Sequence, residues 1–280
     1  MLNYLVPVFV SSFKLISLLL IFPILAGYPM HFLSLKLNSI SMKSFNRSFI
    51  FSVLKWPGTI VHELSHAFAG LLSLRQIKEV VLCDHDPPLE DGGYKLGYVR
   101  FKFNPVNTFQ EVGCLLIGAS PILAGAFLFK LLFEKYFNTS IAPDLSLFTC
   151  TFEFSIQFFQ QSMGALGQAC MNGMLLLINP RNFTNPYFYI FIVCTFLLSI
   201  SVDLSKADIN ILKIGIKPTI FIIVATNLFI HWFYPLGEVL VHKTWFFFFT
   251  FYFQLIFAAI VMAIIGGTMI MFLQILPFGK

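Results

Sequence analysis

Charge is scarce in this chain: of its 280 residues only 11% are Asp, Glu, Lys or Arg, whereas 58% are hydrophobic. That deficit argues against an ordinary soluble domain, in which about a quarter of residues are charged. With a mean hydropathy of +0.82 the composition fits a polytopic membrane protein. Cysteine is sparse as well. Cys83, Cys114, Cys150, Cys170 and Cys194 have no short pairing spacing, so they form neither a disulfide framework nor a zinc-finger pattern. Four of them lie in or beside apolar segments, where a thiol behaves as a small hydrophobe. A basic stripe is missing too. The net charge of +5 comes from cations scattered through short loops without interleaved aromatics, which argues against nucleic acid as a partner and fits membrane topology. The run from Met1 to Gly27 lacks a basic n-region, its one cationic side chain being Lys14, and exceeds the length of a signal-peptide core. A retained first helix is expected there.

What is present in abundance is apolar sequence. Since about 20 apolar residues span a hydrocarbon core of roughly 30 Å, the runs at approximately 4–27, 49–74, 110–133, 146–178, 186–202, 218–235 and 245–276 predict six to seven transmembrane helices. The long fourth and seventh runs contain Gly164, Gly167 and Gly173, and Gly266-Gly267, as candidate break points. Lysine and arginine flank the second run on both sides, so the loops leave the orientation open.

The connection from Arg75 to Pro105 is different in kind. It turns polar, holds Pro87-Pro88 and Gly92-Gly93, and ends in an alternation that sets Tyr98, Arg100 and Lys102 on one face and Val99, Phe101 and Phe103 on the other. That is the period of a half-buried strand. With Ile77 to Leu82 as partner, a small membrane-associated β-hairpin or sheet is expected at about 75–105. The fold class expected for the whole is therefore all-α and polytopic, with this one β element.

Inside the second apolar run stands His62-Glu63-Leu64-Ser65-His66. Ionisable groups at bilayer depth cost several kcal/mol unless they are paired or bound to metal. At about 100° per residue, His62 and His66 lie on one helix face one turn apart, which lets two imidazoles share a zinc ion. Glu63 projects beside that face, within reach of a water at the metal, as a general base requires. Pro57-Gly58 marks or kinks the start of this helix, and Ala67, Ala69 and Gly70 leave room for a close neighbour.

Catalytic zinc usually takes three protein ligands, so one more is needed from elsewhere. The ionisable candidates near later apolar segments are Glu153, Asp203, Asp208, His231, Glu238 and His242. Asp203 and Asp208 flank Ser205 just after the fifth run. Ser205 and Asp208 also have the spacing of a capping box, so spacing alone leaves ligand and cap both open for Asp208. His31 and His85 read as interfacial or loop residues. Gln168 and Asn172, polar positions within an apolar run, are candidates for oxyanion stabilisation or for hydrogen bonding to a neighbouring helix.

Four stretches then occur in a telling order: Pro57-Gly58-Thr59-Ile60-Val61-His62-Glu63-Leu64-Ser65-His66-Ala67, Gly97-Tyr98-Val99-Arg100, Gly118-Ala119-Ser120-Pro121-Ile122-Leu123-Ala124-Gly125 and Ser205-Lys206-Ala207-Asp208. Over roughly residues 50 to 215 the chain resembles the site-2 protease family of intramembrane zinc metalloproteases, in particular its compact prokaryotic branch without a PDZ domain. The resemblance implies one Zn2+ per chain held by His62, His66 and Asp208, with Glu63 activating water. It further implies a metalloprotease core at 49–215 containing the β-rich insertion at 75–105, inside a single integral membrane domain at 1–280. A multi-pass protein of a prokaryotic cell membrane follows, acting on a membrane-spanning protein or peptide that lies along the strand in extended form. The Asn-x-x-Pro and Leu-Asp-Gly arrangement of better-known members is absent, which keeps Asp203 as the reserve ligand.

Two other classes compete. A non-catalytic protease-like scaffold would have no use for Glu63. A metal or proton transporter would be expected to show inverted repeats, and no second copy of the motif is visible. A zinc hydrolase acting on lipid would share the same motif.

Overall fold

The computed structural model describes residues 2–17, 49–82, 97–139, 156–199, 204–233 and 257–269, with a few isolated positions besides. These form helices α1 (Leu2–Ile16), α2 (Phe49–Leu72), α3 (Thr108–Phe137), α4 (Ile156–Leu177), α5 (Pro186–Ser199), α6 (Lys206–Phe233) and α7 (Phe257–Met269), a 3-10 turn at Pro180–Thr184, and strands β1 (Gln76–Val81) and β2 (Tyr98–Lys102). The described residues are thus mostly helical, with one two-stranded antiparallel sheet among them.

Two of the described helices are long and apolar enough to cross a membrane, Thr108–Phe137 and Lys206–Trp232, against the six to seven expected from hydropathy. Pro186–Ser199 and Phe257–Met269 are apolar but shorter. The expected span at 218–235 begins too late. Its helix starts at Lys206, because Ser205 and Asp208 close a capping box: Ser205 N–H donates to Asp208 Oδ2 at 2.8 Å and Asp208 N–H donates to Ser205 Oγ at 3.1 Å. The glycines suggested as break points also do not break helices. Ile156–Leu177 runs through Gly164, Gly167 and Gly173, and Phe257–Met269 through Gly266-Gly267. Gly173 instead lets the Phe257 ring close on the α4 backbone, where any side chain would collide with it.

α3 is the centre of the molecule. Asn107 starts it by accepting from the Phe109 and Gln110 amides, and Asn138 ends it in the left-handed conformation. Its C-terminal half carries Phe129 and Phe133 into a core with Phe191 of α5 and Phe257 of α7. The rings of Phe133 and Phe257 meet edge to face at 5.9 Å. Its N-terminal half carries the small residues Gly113, Gly118, Ala119 and Ser120, all buried, so α2 and α6 approach closely there.

Burial on the flanking helices is inverted relative to a water-soluble protein. On α2, Trp56, Leu64, Phe68 and Leu71 are exposed while Glu63, Ser65 and His66 are buried. On α6 the buried stripe is Asp208, Gly215, Thr219, Ile223 and Asn227, against exposed Phe221, Phe229 and Trp232. α1 joins α6 through polar pairs: Asn227 Nδ2 donates to Ser12 Oγ at 3.2 Å, and Ser11 Oγ lies 3.4 Å from His231 Nε2.

The sheet follows from how α2 ends. Leu74 at φ 53° occupies the left-handed position of a Schellman cap, with Arg75 N–H bonded to Gly70 O at 2.9 Å and Leu74 N–H to Leu71 O at 3.0 Å. The chain turns there and β1 runs back along the helix. β2 pairs with it as Ile77 to Phe101, Glu79 to Arg100 and Val81 to Tyr98, with a register irregularity between Ile77 and Glu79. That extra residue puts Glu79 beside Arg100, 3.2 Å away, and lets it accept from Tyr98 Oη at 3.1 Å. The other face of β2 packs inward, the Phe101 ring lying on Gly70. Arg75 fastens the base of the sheet to α3, donating to Gln110 O at 2.7 Å, with its guanidinium 4.5 Å from the Phe103 ring centre.

Candidate metal centre

His62 and His66 face α3 and α6 from the buried side of α2, one turn apart as their spacing requires. Asp208, in the first turn of α6, meets them. His62 Nε2 lies 3.1 Å from His66 Nε2 and 3.5 Å from Asp208 Oδ2, and His66 Nε2 lies 3.0 Å from Asp208 Oδ1. A tetrahedral zinc ion with ligands at about 2.0–2.1 Å sets its donor atoms about 3.3 Å apart. The observed edges bracket that value, and two imidazoles with one carboxylate form a zinc-type donor set. These three residues can hold a metal ion. Their side chains are only 7 to 12% exposed, so a bound ion would be largely screened from bulk water.

Two glycines explain why α6 comes close enough. A Cβ on Gly118 would lie 2.7 Å from Asp208 O, and one on Gly215 would collide with the Leu115 backbone. Backbone therefore packs on backbone where α3 and α6 cross. The capping box does further work, because the Ser205 amide holds Oδ2 while Oδ1 turns to His66. Cap and candidate ligand coexist in one carboxylate, which the sequence left open.

His66 is also held from behind. His66 Nδ1 donates to Ile117 O at 2.9 Å, which fixes the tautomer that presents Nε2 to Asp208. Ser120 Oγ donates to the same carbonyl at 2.8 Å. Ser65 Oγ, bonded to His62 O at 2.6 Å, reaches Ser120 Oγ at 3.3 Å and ties α2 to α3.

Glu63 is 8% exposed, on the same helix as the histidines, and the start of β2 lies against it. A Cβ on Gly97 would be 2.8 Å from Glu63 Cγ, 2.8 Å from Val81 O and 3.3 Å from Thr59 Cγ2. From there β2 runs along α2 to the contact between Phe101 and Gly70. The sheet thus has one end at the level of Glu63.

Among the described residues, the other candidates considered from sequence are not brought to this cluster. His231 sits about six turns along α6 from Asp208, bonded through Nδ1 to Asn227 O at 3.0 Å. Gln168 and Asn172 are exposed on α4. Asp203, Glu153, Glu238, His242 and His85 lie outside the described residues. Sequence reasoning missed Ser65, Ser120 and the Ile117 carbonyl as supports of the ligands, and gave Gly97 no role. Only the Gly-Ala-Ser-Pro run hinted at the first group. No protein-family model, no curated protein and no solved structure matches the chain.

Proposed function

We propose that this chain is a multi-pass intramembrane zinc metalloendopeptidase that hydrolyses a peptide bond in or near the transmembrane segment of a membrane protein substrate. The observation that carries the reading is the meeting of His62, His66 and Asp208 at zinc-like separations, with the buried Glu63 next to His62 in the same helix. The inverted burial of α2 and α6 supports the bilayer. Where the surroundings are hydrocarbon, large apolar side chains turn outward and polar groups gather between helices.

In this reading His62 and His66 hold one zinc ion per chain through Nε2, and Asp208 provides the third ligand. When bound, zinc supplies Lewis acidity toward water and toward the scissile carbonyl. Glu63 removes the proton of the attacking water and returns it to the leaving amine. Among the described residues β1 and β2 pair only with each other, and in this reading an outer edge of the sheet receives an extended substrate segment through main-chain hydrogen bonds. An unwound segment exposes the peptide bond that a helix shields, and Gly97 lets the end of that sheet rest against Glu63.

Purified protein is expected to carry close to one zinc per chain. Glu63→Gln should keep the metal and lose cleavage of a transmembrane substrate by a factor of about 10² or more. Cleavage at the wild-type rate by that variant refutes the mechanism.

A further inference from the structure

Pro121 stands inside α3, and a helix-interior proline withholds the amide that would bond the carbonyl four residues back. That carbonyl belongs to Ile117. It is the one that accepts from His66 Nδ1 at 2.9 Å and from Ser120 Oγ at 2.8 Å, in a buried setting. A carbonyl oxygen has two lone pairs, and these two donors fill them. An ordinary residue at position 121 would send a third donor, its own amide, to the same oxygen along the helix axis. The ring N–H from α2 would then compete with a bond the helix geometry favours.

We propose that Pro121 is a positioning residue for the metal centre: by withholding the backbone amide that would bond the Ile117 carbonyl, it reserves that oxygen to orient His66. The chain of cause runs from one missing N–H on α3 to the direction of Nε2 on α2. Gly118 and Ser120 belong to the same device. The first lets α6 bring Asp208 to the site, and the second completes the acceptor's coordination. The inference rests on the metal-binding reading and is independent of what bond is cleaved.

Three forms of the full-length protein test it: wild type, Pro121→Ala, and a form with lactic acid at position 121, whose backbone ester oxygen replaces the N–H while the side chain stays that of alanine. Zinc affinity is measured by competition with a chromophoric chelator, and stability by thermal unfolding of the metal-free protein. Loss of the outer partner of a ligating histidine weakens metal binding about 10–100-fold, so Pro121→Ala should lose affinity by that factor. Its metal-free stability should hold or rise, since a helix breaker has gone. The ester form should bind zinc within about threefold of wild type, having no donor at that position. A purely structural role for the proline moves affinity and stability together. Wild-type affinity in Pro121→Ala, or equal weakening in the alanine and ester forms, overturns the proposal. A further readout needs no metal: the slowly exchanging His66 Nδ1–H proton seen by NMR should be present in wild type and the ester form and lost in Pro121→Ala. Failure of the wild type to take up zinc would refute the metal centre, and this proton would then decide the role of Pro121.

Discussion

Replacing Gly118 by alanine adds one methyl group, and the structure says where it goes. The new Cβ would lie 2.7 Å from Asp208 O, 2.7 Å from Leu212 Cβ and 2.9 Å from Leu212 N. Carbon atoms prefer about 3.5–4.0 Å, so the shortfall is at least about 0.8 Å. Two of the three obstacles are backbone atoms of α6, which no rotamer change can move. α6 must therefore withdraw or tilt, and Asp208 goes with it. Metal–ligand distances tolerate about ±0.2 Å, so a shift of this size removes the carboxylate from the ligand set. Structural zinc sites bind with about 10–16 kcal/mol in total. Shared among three or four ligands, one ligand is worth about 2.5–5 kcal/mol, or about 10²- to 10⁴-fold in Kd. Overpacking should also lower stability by about 1–3 kcal/mol. Chelator competition on detergent-purified protein reads the first quantity and metal-free unfolding the second. Gly164→Ala is the control, because among the described residues nothing lies within 4 Å of its Cβ. If folded Gly118→Ala binds zinc within threefold of wild type, the idea that backbone contact between α3 and α6 delivers the third ligand is wrong.

Gly97→Ala should act on the base and spare the metal: its Cβ would press on Glu63 Cγ and Val81 O, and a displacement near 1 Å costs about 10²-fold in rate, so kcat should fall by about 10- to 100-fold with zinc content unchanged. Zinc loss in that variant would place the strand's role elsewhere. Asp208→Asn separates the two uses of the carboxylate, since an amide oxygen can still accept from the Ser205 amide but is a poor zinc ligand. Zinc affinity should drop at least about 100-fold while metal-free unfolding stays within about 1 kcal/mol of wild type; equal affinity would reduce Asp208 to a helix cap.

The parts of the site legible in the sequence are those whose geometry is local. His62, Glu63 and His66 follow from the helical repeat alone, and the alternation from Tyr98 to Lys102 announces a strand by its own period. The capping box at Ser205 and Asp208 was equally readable, and it places the start of α6 twelve residues before the hydropathy run at 218. Hydropathy failed there for a physical reason. Lys206, Asp208, Lys213 and Lys217 depress the apolar average, although the backbone is already helical and its inward stripe already buried. Averaging over a window reports what a segment dissolves in, whereas helix ends are decided by single hydrogen bonds. The register of β1 escaped for a related cause, because one extra residue between Ile77 and Glu79 shifts every later pair.

What sequence could not disclose is which distant backbones touch. Gly118 and Asp208 are joined by the absence of a side chain, and so are Gly97 and Glu63. A missing atom leaves no periodic trace in the chain. Pro121 makes the point more sharply. Any helix proline frees the carbonyl four residues earlier, so the orphaned Ile117 oxygen was deducible from spacing. That His66 should be the donor to fill it was not, because the answer depends on how α2 lies across α3. The metal centre is thus specified twice over: by polar residues that advertise themselves, and by glycine and proline positions whose meaning appears only when the helices are packed. Variants at Gly118 and Pro121 should disturb zinc without touching any atom that binds it. That separates a site assembled by helix packing from one built on α2 alone.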